Sequence, residues 1–448
     1  MKGIVAGLTA GFSTLGVLLT GALSANCGSS GSDNGGASNP ANADAAVTGE
    51  SFRVLIVEAV PPPGQAKPLV GATVVFDKPG GERAEVQTGA DGVATIEGID
   101  WSKGKAALTT FMTGYSVTSI VELDKAFIAK AVADYSPVVP GDPKRDLTWY
   151  TFANSEGHVK LQGATSHGRG GLVTLTPTIQ GTAYQGPVGP YDMMVEPNKP
   201  FSLFALDWAQ VDTPTVSARG AEQTLERWLK FDHDAISAPT TFDLDLDTGT
   251  PFAATTVKGK IVITGGSAGP LGGSSKAYTV VVTRGVANAF IGVISKIDIN
   301  SDGSAFDYDL EFTKPDNVLP LVNHQINLPD GSNSSQLSHD WPTDGEVTDG
   351  FINPPPVVVT SRGVADPYTL DGIDADAEAR VVYSDLKGLR WMIHVPAGVK
   401  TFTPPAVDGA LKDAVGRPNE GVITALKNYD APSTYYKTVA TSRPFKIK

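Results

Sequence analysis

The chain carries a single cysteine, Cys27. No disulfide can close within it, so its stability has to come from buried apolar surface and hydrogen bonds. Basic residues are also short: 35 Lys and Arg stand against 48 Asp and Glu, a net charge of −13. A balance of that sign argues against nucleic acid and anionic membrane surfaces as partners, because both demand a basic face. Histidine is sparse, at His158, His167, His233, His324, His339 and His394. No two of these stand at metal-ligand spacing, and there is no H-E-x-x-H. Asp232-His233-Asp234 and His339-Asp340 fit pairs that support a nearby site or surface pairs, with solvated surface the default. No solenoid period is present.

What the sequence has in plenty is turn formers. The 49 Gly and 32 Pro suit many turns between many short strands, and a 41% hydrophobic content is enough to build cores. The length corresponds to roughly two to four domains.

The chain opens with Met1 and Lys2, then an apolar run over residues 4–23. A charged n-region ahead of an apolar h-region is the layout of an export signal. Leu23-Ser24-Ala25-Asn26-Cys27 follows, and then Gly28-Ser29-Ser30-Gly31-Ser32 and a polar stretch to Glu50. This resembles the processing site of bacterial lipoproteins, whose cysteine is lipidated and becomes the mature N-terminus. Ser24 stands where that family has Leu, with Leu23 one place upstream. The resemblance implies that residues 1–26 are a signal peptide, that Cys27 carries lipid, and that the protein is exported and held in the cell envelope at the outer membrane. Two other outcomes fit the same residues. Cleavage after Ser24, using the small pair Ala22 and Ser24, would leave Cys27 a free thiol. Retention of residues 4–23 would leave a membrane helix, since about twenty apolar residues span a bilayer. Residues 27–50 are a flexible linker that spans roughly 25 Å as a coil.

Residues 51–137 read as a small β-domain. Runs at 52–57, 71–76, 84–88 and 93–96 are separated by Pro61-Pro62-Pro63-Gly64, Pro79-Gly80-Gly81 and Ala90-Asp91-Gly92. Asp-Gly between β-rich runs predicts a hairpin. Pro68-Leu69-Val70-Gly71-Ala72-Thr73-Val74, Gly80-Gly81 and Thr88-Gly89-Ala90-Asp91-Gly92-Val93-Ala94-Thr95 together resemble the carboxypeptidase regulatory-like domain. The resemblance implies a transthyretin-like β-sandwich, non-catalytic, with residues 115–120 and 126–130 as its last strands.

Pro137, Pro140, Gly141, Asp142 and Pro143 mark a boundary. A second β-rich domain follows over 138–238, with strands expected at 158–161, 172–176, 191–195 and 201–206. Residues 221–231 fit a helix through Leu225, Trp228 and Leu229, and a strand through Leu225, Arg227, Leu229 and Phe231. From 239 to 448 the alternation is clearest, beginning with Phe242, Leu244 and Leu246 between Asp243, Asp245 and Asp247. Strands are expected at 257–263, 277–283, 289–297, 306–312, 357–360, 379–383, 389–395, 422–427 and 441–448. The predicted fold class is mainly β, with tandem β-sandwich domains, Ig-like or transthyretin-like, behind a signal peptide and a tether.

Four stretches carry candidate chemistry. Asp298-Ile299-Asn300-Ser301-Asp302-Gly303 matches the start of a calcium loop, and Asp309 falls at its twelfth position. Asp298, Asn300, Asp302 and Asp309 are thus a candidate calcium set. The same residues also make a hairpin tip, because Phe306, Tyr308, Leu310 and Phe312 alternate with Asp307, Asp309 and Glu311. The hairpin is the expectation. Gly265-Gly266-Ser267-Ala268-Gly269 matches G-x-S-x-G, but loop residues follow where a nucleophile elbow needs a helix. His167-Gly168-Arg169-Gly170-Gly171 bears a faint likeness to an oxyanion loop and reads as a turn. Trp208, Trp228, Trp341 and Trp391 suit a sugar platform or a sandwich core equally.

These residues predict a non-enzymatic, lipid-anchored surface or periplasmic protein with a structural or interaction role. Its partner is the membrane, through lipid on Cys27, and it needs no cofactor unless calcium fills the 298–309 loop. A carbohydrate- or peptide-binding module is the first alternative, marked by an exposed aromatic patch. A secreted hydrolase is the second, marked by a His within reach of Ser267.

Overall fold

The computed structural model describes residues 49–58, 67–134, 144–152, 159–164, 166, 170–176, 190–195, 197–198, 200–210, 223–251, 255–263, 277–284, 290–291, 296–299, 305–312, 320–327, 330–338, 345–349, 352–357, 361–385, 388–430 and 435–448. The architecture is mainly β, as expected, with sheets packed face to face.

The N-terminal sandwich begins at Glu50. The strand Glu50–Glu58 alternates inward Phe52, Val54 and Ile56 with residues facing the other way. It pairs antiparallel with Val93–Ile99 and parallel with Leu147–Thr151. Thr73–Asp77, Arg83–Gln87, Ala106–Phe111 and Val117–Leu123 form the opposing layer. Phe52, Val54, Ile56, Ile96 and Trp149 from one sheet meet Val74, Phe76, Leu108 and Ile120 from the other.

Pro79-Gly80-Gly81 turns a true hairpin: Gly81 N–H donates to Lys78 O at 2.9 Å, and the flanking strands pair. Ala90-Asp91-Gly92 also turns, with Gly92 at φ 77° and Val93 N–H bonded to Asp91 Oδ1 at 3.0 Å. The strands beside it, Arg83–Gln87 and Val93–Ile99, belong to different sheets, so this turn carries the chain across the sandwich edge instead of closing the predicted hairpin.

Residues 126–130 lie in the helix Lys125–Asp134 rather than in a strand. Asp124 starts that helix: its carboxylate accepts the Phe127 N–H at 2.7 Å and its carbonyl accepts that of Ile128 at 3.0 Å. Ala and Lys on either side of Phe127 and Ile128 favour the helix once it is capped.

The sheets do not respect the expected boundaries. Leu147–Thr151, beyond the proline-rich break, fills the free edge of Glu50–Glu58. A second sandwich joins Gly170–Thr176, Phe201–Gln210, Gln223–His233 and Thr250–Pro251 in one sheet to Pro190–Val195, Val159–Ala164 and Thr240–Thr241 in another. Residues 223–231, which fitted two periods, are strand, and 240–251 pack with the elements before them. Leu161, Val195, Phe201, Leu203, Leu244 and Leu246 form the core between these sheets. The Phe242/Leu244/Leu246 alternation reports burial correctly, yet its end is a 3-10 turn, Leu246–Thr248. There Asp245 Oδ1 accepts from the Asp247 N–H and the Ser166 hydroxyl, drawing the backbone out of extension.

The third sheet-forming region meets the first directly. Among the described residues, one sheet of 14 strands runs through Tyr435–Thr441, Glu420–Asp430, Glu378–Asp385, Gly388–Val395, Val117–Leu123, Ala106–Phe111, Thr73–Asp77 and Arg83–Gln87. The junction is parallel, with Trp391 beside Val117 and His394 beside Ile120. One face of this sheet packs Val381, Tyr383, Trp391, Ile393 and Val117 against Tyr368, Leu370, Phe402, Leu411 and Val415. The other face turns toward Trp149 and the N-terminal sandwich.

Candidate functional site

The sequence Glu378-Ala379-Arg380-Val381-Val382-Tyr383 alternates within a strand. Ala379, Val381 and Tyr383 enter the apolar core, and Glu378, Arg380 and Val382 take the other face. Direct cross-strand partners share a face. Thr441, Thr424, Arg380 and His394 therefore form one row across four strands, and all are buried.

At the end of this row is the most chemically loaded group among the described residues. His394 Nε2 lies 3.1 Å from Glu378 Oε2, with the two side chains 2% and 4% exposed. Arg380 Nη2 donates to the Tyr150 hydroxyl at 3.3 Å. The imidazole is flanked by Phe127 and Trp149, each with its ring centroid 5.7 Å away. Trp149 Nε1 in turn donates to Thr118 Oγ1 at 3.2 Å. A carboxylate orienting an imidazole is half of a general-base arrangement. Here the imidazole lies under two aromatic rings inside the junction of two sheets. The geometry joins the imidazole and the Glu378 carboxylate across buried, adjacent strands. His394 itself is buried in the core. His233 is half-buried, stacked on Phe201 with centroids 5.0 Å apart.

A second polar pair is buried on the opposite face. Tyr368 and Tyr383 hydroxyls lie 2.7 Å apart, and Tyr383 donates to Val364 O at 3.0 Å. Burial pushes the Tyr368 phenol up to about 12 and the Tyr383 phenol well above its ordinary value. Arg362 sits 3.5 Å over the Tyr368 ring. Both phenols stay neutral at physiological pH and act as hydrogen-bonding cross-braces.

Of the candidate calcium set, Asp298 lies on Lys296–Ile299 and Asp309 on Ala305–Phe312, two strands that pair antiparallel as the hairpin expectation requires. Asn300 and Asp302 lie outside the described residues. Asp298 stands opposite Asp307, whereas Asp309 has Lys296 opposite on one side and Lys258 on the other. Among the described residues no group of three or more His, Cys, Asp or Glu is placed to hold a metal ion. The expected result of titrating calcium into the chain is an unchanged melting temperature at millimolar calcium. A site formed only in the folded state would stabilise by about 2.7 kcal/mol at a hundredfold excess over Kd. A shift of that kind, abolished by Asp302→Ala, would reverse the assignment.

Cys27, Ser267 with its G-x-S-x-G, His167 and Trp341 also lie outside the described residues. Gly170 and Gly171 open the strand Gly170–Thr176. Trp391 is fully buried and belongs to the core, and Trp208 and Trp228 sit on adjacent paired strands. The large hydrophobic side chains exposed among the described residues are Val70 and Phe231, which are separate in sequence and sheet. No helix among the described residues is long and apolar enough to cross a membrane. No family model matches the chain, and no curated protein matches it.

Proposed function

We propose that the chain is a non-enzymatic, lipid-anchored protein of the cell envelope, exported and held at the outer membrane through Cys27, with a structural or interaction role. Its N-terminal sandwich is a carboxypeptidase regulatory-like module that contributes fold rather than catalysis. The observation that carries this reading is the layout of the first fifty residues. A charged start, an apolar run, the one cysteine and a Gly/Ser/Asn tether follow in order, and the first strand begins at Glu50 as the tether ends. The buried Glu378–His394 pair and the Tyr368–Tyr383 pair support a structural role, because each braces packed elements.

Intact-mass and peptide mass spectrometry of the mature N-terminus tests this. The expected result is a diacyl- or triacyl-modified peptide beginning at Cys27, with Cys27→Ala moving the protein from the membrane fraction to the soluble fraction. An unmodified peptide beginning at Ala25 would refute the anchor.

A further inference from the structure

The tether delivers its load to one strand. Glu50–Glu58 is the first element after it, and the ladder around that strand is dry: Val54, Leu55 and Ile56 are 0% exposed and Leu147 is 1% exposed. Its parallel register with Leu147–Thr151 runs over five residue pairs, from Val54 opposite Leu147 to Glu58 opposite Thr151. In a parallel pair the start of one strand and the finish of the other lie at opposite ends of the ladder. The tether enters at the start of Glu50–Glu58, and the chain leaves at the finish of Leu147–Thr151. Tension between those two points therefore acts along the strands and loads every rung at once, since the ladder bonds run across the strand direction. Without water at hand, a rung that yields is not readily replaced by a bond to solvent.

Both ends of the ladder are fastened. At the entry end Arg53 N–H donates to Asp146 Oδ2 at 2.7 Å, and Asp146 N–H donates to Arg53 O at 2.8 Å. At the exit end Ser116 N–H donates to Phe152 O at 2.7 Å, Phe152 N–H donates to the Ser116 hydroxyl at 3.3 Å, and the Thr151 hydroxyl donates to Ser116 O. Ser116 leads into Val117–Leu123, which pairs parallel with Gly388–Val395 and so passes the load into the C-terminal sheet.

We propose that the strand Glu50–Glu58 is a mechanical clamp, bearing tension from the anchor in shear against Leu147–Thr151. The clamp rests on the reading of Cys27 as the anchor, because only an anchored chain is pulled from that end. Single-molecule force spectroscopy on residues 28–448, which contain every described residue, measures the ladder itself. Handles at Thr48→Cys and Ala153→Cys pull from opposite ends. Handles at Thr48→Cys and Lys144→Cys pull from the same end and open the rungs one after another. None of these substitutions touches either strand, and matched melting curves verify that both variants are folded. Forced unfolding follows the unfolding rate, so the two geometries report the barrier under each direction of pull. A rupture force severalfold higher for the opposite-end pair is expected. Equal forces in the two geometries would overturn the clamp. Cys27 is absent from the measured chain, so this result stands apart from the anchor. An unmodified native N-terminus would instead overturn the clamp by removing its load, whatever the ladder withstands.

Discussion

Arg380→Leu is expected to lower the unfolding free energy by about 3–5 kcal/mol, the range for breaking a buried charged group by removing one partner. Arg380 is 5% exposed, shares its face with Glu378, stands opposite His394 in register, and bonds the Tyr150 hydroxyl. Deleting it leaves the Glu378 carboxylate in a dry interior with one positive neighbour fewer. The loss also reaches across the junction, since Tyr150 belongs to the N-terminal sandwich. Equilibrium urea unfolding measures it. The double variant Glu378→Met with Arg380→Leu removes both charges and is expected to be less destabilised than Arg380→Leu alone, because buried ionic groups replaced together by apolar ones cost little. If the double variant loses the sum of the two single effects, the group acts through packing and its charges are not coupled.

Trp391→Ala is expected to cost about 3–5 kcal/mol, as for other large aromatic truncations in cores. Trp391 is 0% exposed, its ring lies 5.5 Å from that of Tyr383, and its Nε1 donates to the Ser119 hydroxyl at 2.8 Å. The variant opens a cavity in the C-terminal core and cuts a hydrogen bond to the N-terminal half. Trp391→Phe restores most of the volume but not the donor, and should recover most of the stability. Unfolding curves read by far-UV CD compare the three proteins. A loss under about 1 kcal/mol for Trp391→Ala would mean that the surrounding core collapses into the space.

Strands whose apolar residues alternate over five or more positions were legible in the sequence. Residues 52–57, 379–383, 389–395 and 422–427 all fall in observed strands, and 71–76 overlaps Thr73–Asp77, which starts two residues later. The helix Lys125–Asp134 escaped because Phe127 and Ile128 are its only large apolar residues in the window considered, too few to separate a period of 2 from one of 3.6. Its one clear signal was Asp124 three residues before Phe127. The junction between Val117–Leu123 and Gly388–Val395 left no local trace at all, since periodicity reports which face is buried and not which strand lies alongside. The Glu378–Arg380–His394 group was hidden for the same reason. Glu378 and Arg380 share one strand, and only the register with the neighbouring strand brings His394 to them. A usable hint was present in Glu378 and Arg380, two charges at alternate positions inside an otherwise apolar strand, where burial requires partners.

The bond from Trp391 to Ser119 joins residues 272 positions apart, and that distance sets an order of events. Synthesis at about 5–20 residues per second separates the two ends of this bond by roughly 14–54 s. During that interval Val117–Leu123 is a sheet edge with one neighbour, and a bare edge invites pairing with the wrong chain. Its hydroxyls soften the exposure: Ser119 is bonded to Thr109 at 2.8 Å and Thr118 to Thr110 at 2.9 Å, both within the strand pair that forms first. The N-terminal sandwich can thus assemble early with a polar edge that waits, and Gly388–Val395 closes it last. A chain truncated before residue 388 would carry that edge permanently and is the form in which self-association would begin.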